Sequence, residues 1–178
     1  MKNKIKWDKM VPTVLIILTA VFLRLVPHPP NFAPIAALAL FTGAHFSKKS
    51  AIIISVSTMF ISDLILGLHA TMPFVYGSFI LMIFIGRLLK NNQKIHTLAG
   101  ASLISSLLFF IITNFGVWLV YPMYPRTLLG LVNSYTMAIP FFKNSILGDL
   151  IYTFSFFKGF HLISVIINHR IILLKARK

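Results

Sequence analysis

The chain has 178 residues, 57% hydrophobic and only 11% charged, with a formal net charge of +14 and a mean hydropathy of +0.86. A soluble domain has about a quarter of its residues charged, so this composition excludes an ordinary water-facing surface and calls for lipid as the solvent. The only acidic residues are Asp8, Asp63 and Asp149, and there is no glutamate or cysteine, which removes disulfide and thiol chemistry.

A basic stretch, residues 1–10, precedes the first apolar segment, Val11–Val26. No small-x-small cleavage site follows, and the run leads into Arg24 and Pro27-His28-Pro29-Pro30, so an uncleaved first span is expected. Further apolar segments follow at Phe32–Phe46, Ala51–Leu68, Pro73–Leu89, Thr97–Tyr121 and Phe141–Asn168, and a basic tail closes the chain at 169–178. Most runs reach or approach the roughly 20 residues of a spanning helix. They lack the two-residue alternation of barrel strands. The fold class expected is therefore all-α: one polytopic integral membrane domain over 1–178 with six transmembrane helices. The second segment is the weak one. Phe32–Phe46 covers only about 22 Å at a helical rise, short of a hydrocarbon core of about 30 Å, and competes with a re-entrant hairpin.

Charge arbitrates between the two. With six spans, thirteen cations fall on one side: Lys2, Lys4, Lys6, Lys9, Lys48, Lys49, Arg87, Lys90, Lys94, Arg170, Lys175, Arg177 and Lys178. Three fall on the other, Arg24, Arg126 and Lys143, and Lys158 lies within the last segment. The positive-inside rule then puts both termini in the cytoplasm. This placement between apolar runs is a topology signal rather than a nucleic-acid footprint, and no nucleic-acid partner is expected. The prolines divide too. All but Pro12 lie at or near the outer connections, where they stiffen the chain. The last outer connection, Tyr121–Pro140, is the longest, and its Leu128–Ala138 stretch is expected to form a short helix at or dipping into the outer surface.

Strongly polar groups inside a membrane need a partner or a purpose. Arg24, Asp63, Asn114 and Asp149 fall at similar depth near the outer side of four different spans. His28, Asn31, His69, Arg126, Lys143 and Asn144 add polarity at the outer connections, and Trp118 lies where an aromatic belt would. Two readings follow. In one, Arg24 or Lys143 pairs with Asp63 or Asp149 and pins the bundle. In the other, Arg24, Asp63, Asn114 and Asp149 converge on an outward-facing cavity and bind a ligand. By simple count, Arg24, Arg126 and Lys143 against Asp63 and Asp149 leave the outer region at +1, which suits a neutral or mildly anionic solute. His28 and His69 come from separate loops without ligand spacing, so no metal is expected. No catalytic motif or nucleotide-binding loop is present in the sequence, and neither catalytic residues nor a cofactor are expected. Small-xxx-small patterns at Ala33–Ala37, Ala39–Gly43, Ala101–Ser105 and Ser102–Ser106 permit close helix approach.

Arg24 through Pro34, with Ser62-Asp63-Leu64-Ile65-Leu66-Gly67, Thr113 through Trp118, Tyr124-Pro125-Arg126-Thr127, Pro140 through Asn144 and Gly148-Asp149, resembles a family of uncharacterised bacterial membrane proteins. More distantly, the layout resembles the substrate-binding S components of energy-coupling factor transporters. That resemblance implies a six-helix protein of the inner (plasma) membrane that captures a small solute from outside. It also implies coupling to a shared transmembrane subunit and two ATPases. In those proteins, small residues at four-residue spacing on helix one dock the shared subunit; here span one offers Thr13, Thr19 and Ala20. A membrane solute-binding subunit is the expected function. The alternatives are a membrane enzyme using Asp63 and Asp149 on a lipid or cell-wall precursor, and a structural membrane protein without ligand.

Overall fold

The computed structural model describes residues 7–176, all of whose regular structure is helical. Six helices follow in order: α1 (Trp7–Leu25), α2 (Ile35–His45), α3 (Lys48–Leu66), α4 (Met72–Leu88), α5 (Ile95–Val120) and α6 (Leu128–Ala176). The first five fall within four residues of the apolar segments. Punctuation explains the agreement. Pro27 to Pro34 separate α1 from α2, Ser47 caps α3 by accepting from the Ser50 amide, and Pro73 enters the first turn of α4. Gly67 follows α3 with φ +107°, a conformation side chains disfavour. Of the expected basic tails, residues 1–6, 177 and 178 lie outside the described residues, while residues 7–10 and 169–176 are helical.

The connections alternate between two ends. The α1–α2, α3–α4 and α5–α6 connections carry or border every proline but Pro12 and Pro140, and the α2–α3 and α4–α5 connections carry Lys48, Lys49, Lys90 and Lys94 at or beside them. We call these the proline end and the basic end.

α6 departs from expectation. It runs unbroken for 49 residues, so the segment expected as a long connection with a separate short helix is its first three turns. The connection proper shrinks to residues 121–127. Pro140 lies inside the helix. It forfeits one backbone hydrogen bond there, a loss that membrane helices accommodate through their neighbours. Packing holds the segment to α5: the Tyr135 hydroxyl donates to the Ile111 carbonyl at 2.8 Å, and Phe110 lies against Tyr135 and Phe142 at ring separations of 5.5 and 4.5 Å.

α2 is the axis of the bundle. Every residue from Ile35 to Ala44 is buried, and the helix touches all five others. A helix apolar all round belongs in an interior. Its seam with α4 brings the two backbones into close approach. A Cβ on Gly43 would sit 2.2 Å from the Ile83 carbonyl oxygen, and one on Gly86 would sit 2.3 Å from that of Leu40. The Ala39–Gly43 pattern thus serves internal packing.

The exterior is far more apolar than that of a soluble protein, and several polar side chains join the apolar core. Ser62, Asp63, Ser102, Ser106, Asp149 and Thr153 are buried, while Phe22, Ile53, Ile65, Leu128, Leu162 and Leu174 stand more than half exposed. Three helices, α3, α5 and α6, are long and apolar enough to cross a membrane. A broad apolar exterior, with acidic and hydroxyl side chains enclosed among apolar helices, is the arrangement of a membrane protein.

Candidate functional site

At the proline end the helices part around a cavity of about 620 Å³, within the size range of small-molecule sites. Its walls are mainly apolar, with Ile35 and Ala36 from α2, Phe79 from α4, Phe109 from α5, and Met137 and Phe141 from α6. Among the expected site residues, Arg24, His28, Asn31, His69, Asn114 and Asp149 line it.

The mouth is shaped by the α1–α2 connection. The Phe32 amide donates to the Pro29 carbonyl at 3.0 Å, closing a turn with Pro30 second and Asn31 third. Asn31 has φ +62°; proline followed by asparagine in this order matches a type II turn, and asparagine tolerates the left-handed region better than most side chains. Asn144 of α6 straps this turn down, its Nδ2 donating to the Pro30 carbonyl at 3.0 Å. Asn144 therefore holds the rim. His28 and His69 bond locally, to the Pro29 carbonyl and the Thr71 hydroxyl, both at 2.9 Å.

The two aspartates separate here. Asp63 sits beside the cavity with both carboxylate oxygens engaged. Arg24 Nη2 reaches Oδ1 at 2.5 Å and the Tyr76 hydroxyl donates to Oδ2 at 2.6 Å. The same guanidinium donates through Nη1 to the Ser62 hydroxyl and, at 3.2 Å, to the Met59 carbonyl. Arg24, Ser62, Asp63 and Tyr76 thus form a closed network joining α1, α3 and α4, and only Arg24 of the four faces the cavity. Asp149 has no such partner. The Ser106 hydroxyl of α5 donates to its Oδ2 at 2.6 Å, and among the described residues the only ion pair is Arg24–Asp63. Asp149 is buried, faces the cavity and has no compensating side-chain charge. Asn114 bonds the Phe110 carbonyl of its own helix at 2.7 Å rather than a neighbouring helix.

Trp118, Arg126 and Lys143 stand outside the cavity. The Trp118 indole donates to the Pro125 carbonyl at 2.9 Å, and the Arg126 guanidinium lies 5.7 Å from the centre of its ring. Lys143 is exposed on α6. Both cations therefore drop out of the local balance. Arg24 and Asp63 cancel, leaving Asp149 as the acidic side chain of the cavity, so that its formal count is −1 rather than the +1 of the sequence.

Sequence reasoning did not single out Phe79, Phe109 and Phe141 as wall residues, Tyr76 as a partner of Asp63, or Ser106 as the donor to Asp149. A signal existed for Tyr76, a polar group one helix after Asp63 near the same end. None existed for Ser106, whose hydroxyl also lies 3.1 Å from the Ser102 carbonyl of its own helix, the usual partner of a helical serine. No curated protein and no solved structure gives a significant match. A family model described only as a family of unknown function, DUF6580, matches residues 3–170. With that match covering nearly its whole length, the chain belongs to the DUF6580 family.

Proposed function

We propose that this protein crosses the inner (plasma) membrane six times, with both termini cytoplasmic, and captures a small solute from the outer side for transport. The observation that carries the reading is the 620 Å³ cavity at the proline end, with an uncompensated buried carboxylate on its wall. A protein using Asp149 only to hold its helices together would be expected to neutralise it, as this one neutralises Asp63. The balance of the lining disfavours an anion and suits a compact, largely apolar solute with a few hydrogen-bonding groups. Asp63, with both oxygens bonded, is a poor partner for acid/base chemistry with Asp149, which speaks against the enzyme alternative.

The sidedness rests on the thirteen-to-three division of cations. Single cysteines at Asn31, Ala70 and Met123 should react with an impermeant maleimide in intact cells, and cysteines at Ser47 and Asn92 should not. All five positions are exposed. Labelling at Ser47 or Asn92 with silence at Met123 would overturn the topology. Coupling to a transmembrane subunit and ATPases follows the S-component layout of size, span number and sidedness. Purification in mild detergent, followed by mass spectrometry of retained solutes and subunits, tests both halves. A preparation that carries no solute and no partner, under conditions that keep a known transporter intact, would remove the reading.

A further inference from the structure

α5 and α6 run antiparallel across their shared seam, and the 2.6 Å bond from Ser106 to Asp149 sets their register. One turn toward the basic end stand Ser102 on α5 and Thr153 on α6, each about 6 Å along the axis. A four-residue step keeps a side chain on the same face, so the register places Ser102 and Thr153 opposite one another in the layer beneath Ser106 and Asp149. Both are fully buried, and neither hydroxyl has a hydrogen-bond partner. Elsewhere the helical hydroxyls of Ser62, Ser78, Ser134 and Ser145 return to a carbonyl of their own helix three or four residues back, the usual resting place for such groups; Ser105 and Ser164 also lack a partner, but neither stands one turn from the Ser106–Asp149 bond. The seam thus holds two orphan oxygens directly below an unpaired carboxylate. Each costs free energy where it is.

We propose that Asp149, Ser106, Ser102 and Thr153 form a sodium-ion site at the floor of the cavity. The donors are carboxylate and hydroxyl oxygens, which select hard cations over soft ones. One carboxylate balances one positive charge, and a divalent ion would leave net charge in the hydrocarbon. A proton would cancel the charge on Asp149 and still leave the Ser102 and Thr153 oxygens without a partner. A monovalent metal ion satisfies all of them. A narrow seam between two packed helices suits the smaller physiological alkali ion. Filling this site brings the cavity from −1 to neutral, matching it to an uncharged solute. The ion site stands apart from the solute-capture reading, because the seam is complete without any solute.

The test uses the full chain in detergent, with direct binding of radioactive sodium and melting curves in sodium chloride against equimolar N-methylglucamine chloride. Saturable sodium binding and a sodium-specific rise in melting temperature are expected. Asp149→Asn and Thr153→Val should weaken binding by about tenfold or more, as loss of metal-site partners does elsewhere, and Thr153→Ser should retain it. Wild-type protein without saturable sodium binding, or binding that survives Asp149→Asn, would overturn the site. Sodium binding without solute capture would leave this proposal standing and remove the transport reading. Solute capture without sodium binding would do the reverse.

Discussion

Asp63 and Asp149 are buried to nearly the same degree, at 1% and 4% exposure, but in surroundings that differ in kind. Around Asp63, three helices contribute a guanidinium, a phenol and a serine, and every oxygen has a donor. Around Asp149, two helices contribute one bonded serine and two unbonded hydroxyls, and the carboxylate borders open space. A buried charge that is paired and hydrogen-bonded fixes geometry, and removing its partner is expensive. A buried charge left without a counter-charge is kept at a cost, and that cost is expected where something else is to be bound. The first region reads as a clasp and the second as a place suited to binding.

The largest test of this contrast is Asp63→Asn. It strands the Arg24 guanidinium, which is 13% exposed at the side chain, and should destabilise the detergent-solubilised protein by about 3–5 kcal/mol. Arg24→Met combined with Asp63→Asn should recover most of that loss. If Asp63→Asn melts like wild type, the clasp does not exist. Next in size is Tyr76→Phe, which removes one hydrogen bond to a carboxylate that keeps its salt bridge. A loss of about 1–2 kcal/mol is expected, and thermal unfolding of the single variant measures it. The smallest effect on stability belongs to Asp149→Asn. The amide can still accept from Ser106 and no cation is stranded, so the change should stay within about 1 kcal/mol. Ligand-dependent stabilisation should vanish with it. A loss comparable to that of Asp63→Asn would make both aspartates structural and erase the distinction.

The sequence-level view reached some of this and missed the rest for identifiable reasons. Five helices were legible because proline, glycine and lysine punctuate long apolar runs. α6 was misjudged because Pro140 reads as a stop, whereas the helix passes through it while Tyr135 and Phe142 hold it against α5. The pairing of Arg24 with Asp63 was one of four combinations that depth alone allowed. Choosing among them needs the rotation of each helix, which packing sets. Arg126 and Lys143 were counted into the polar cluster by their position along the chain, and their directions removed them from it. The Ser102–Ser106 pattern was visible as a small-residue spacing. Its second role emerged only when α6 brought Asp149 and Thr153 alongside at matching steps.

The total enclosure of α2 has a consequence for how the molecule is made. An 11-residue helix, about 16 Å long, falls far short of the hydrocarbon thickness, so it has little claim to stable insertion alone. Its Gly43 and Gly86 contacts cannot form until α4 has been synthesised. α6, the last helix made, also packs against α2. The centre of the protein is therefore expected to be the last part to settle. A nascent chain halted after α3 should leave α2 accessible to lipid-phase crosslinkers, and the complete chain should shield it.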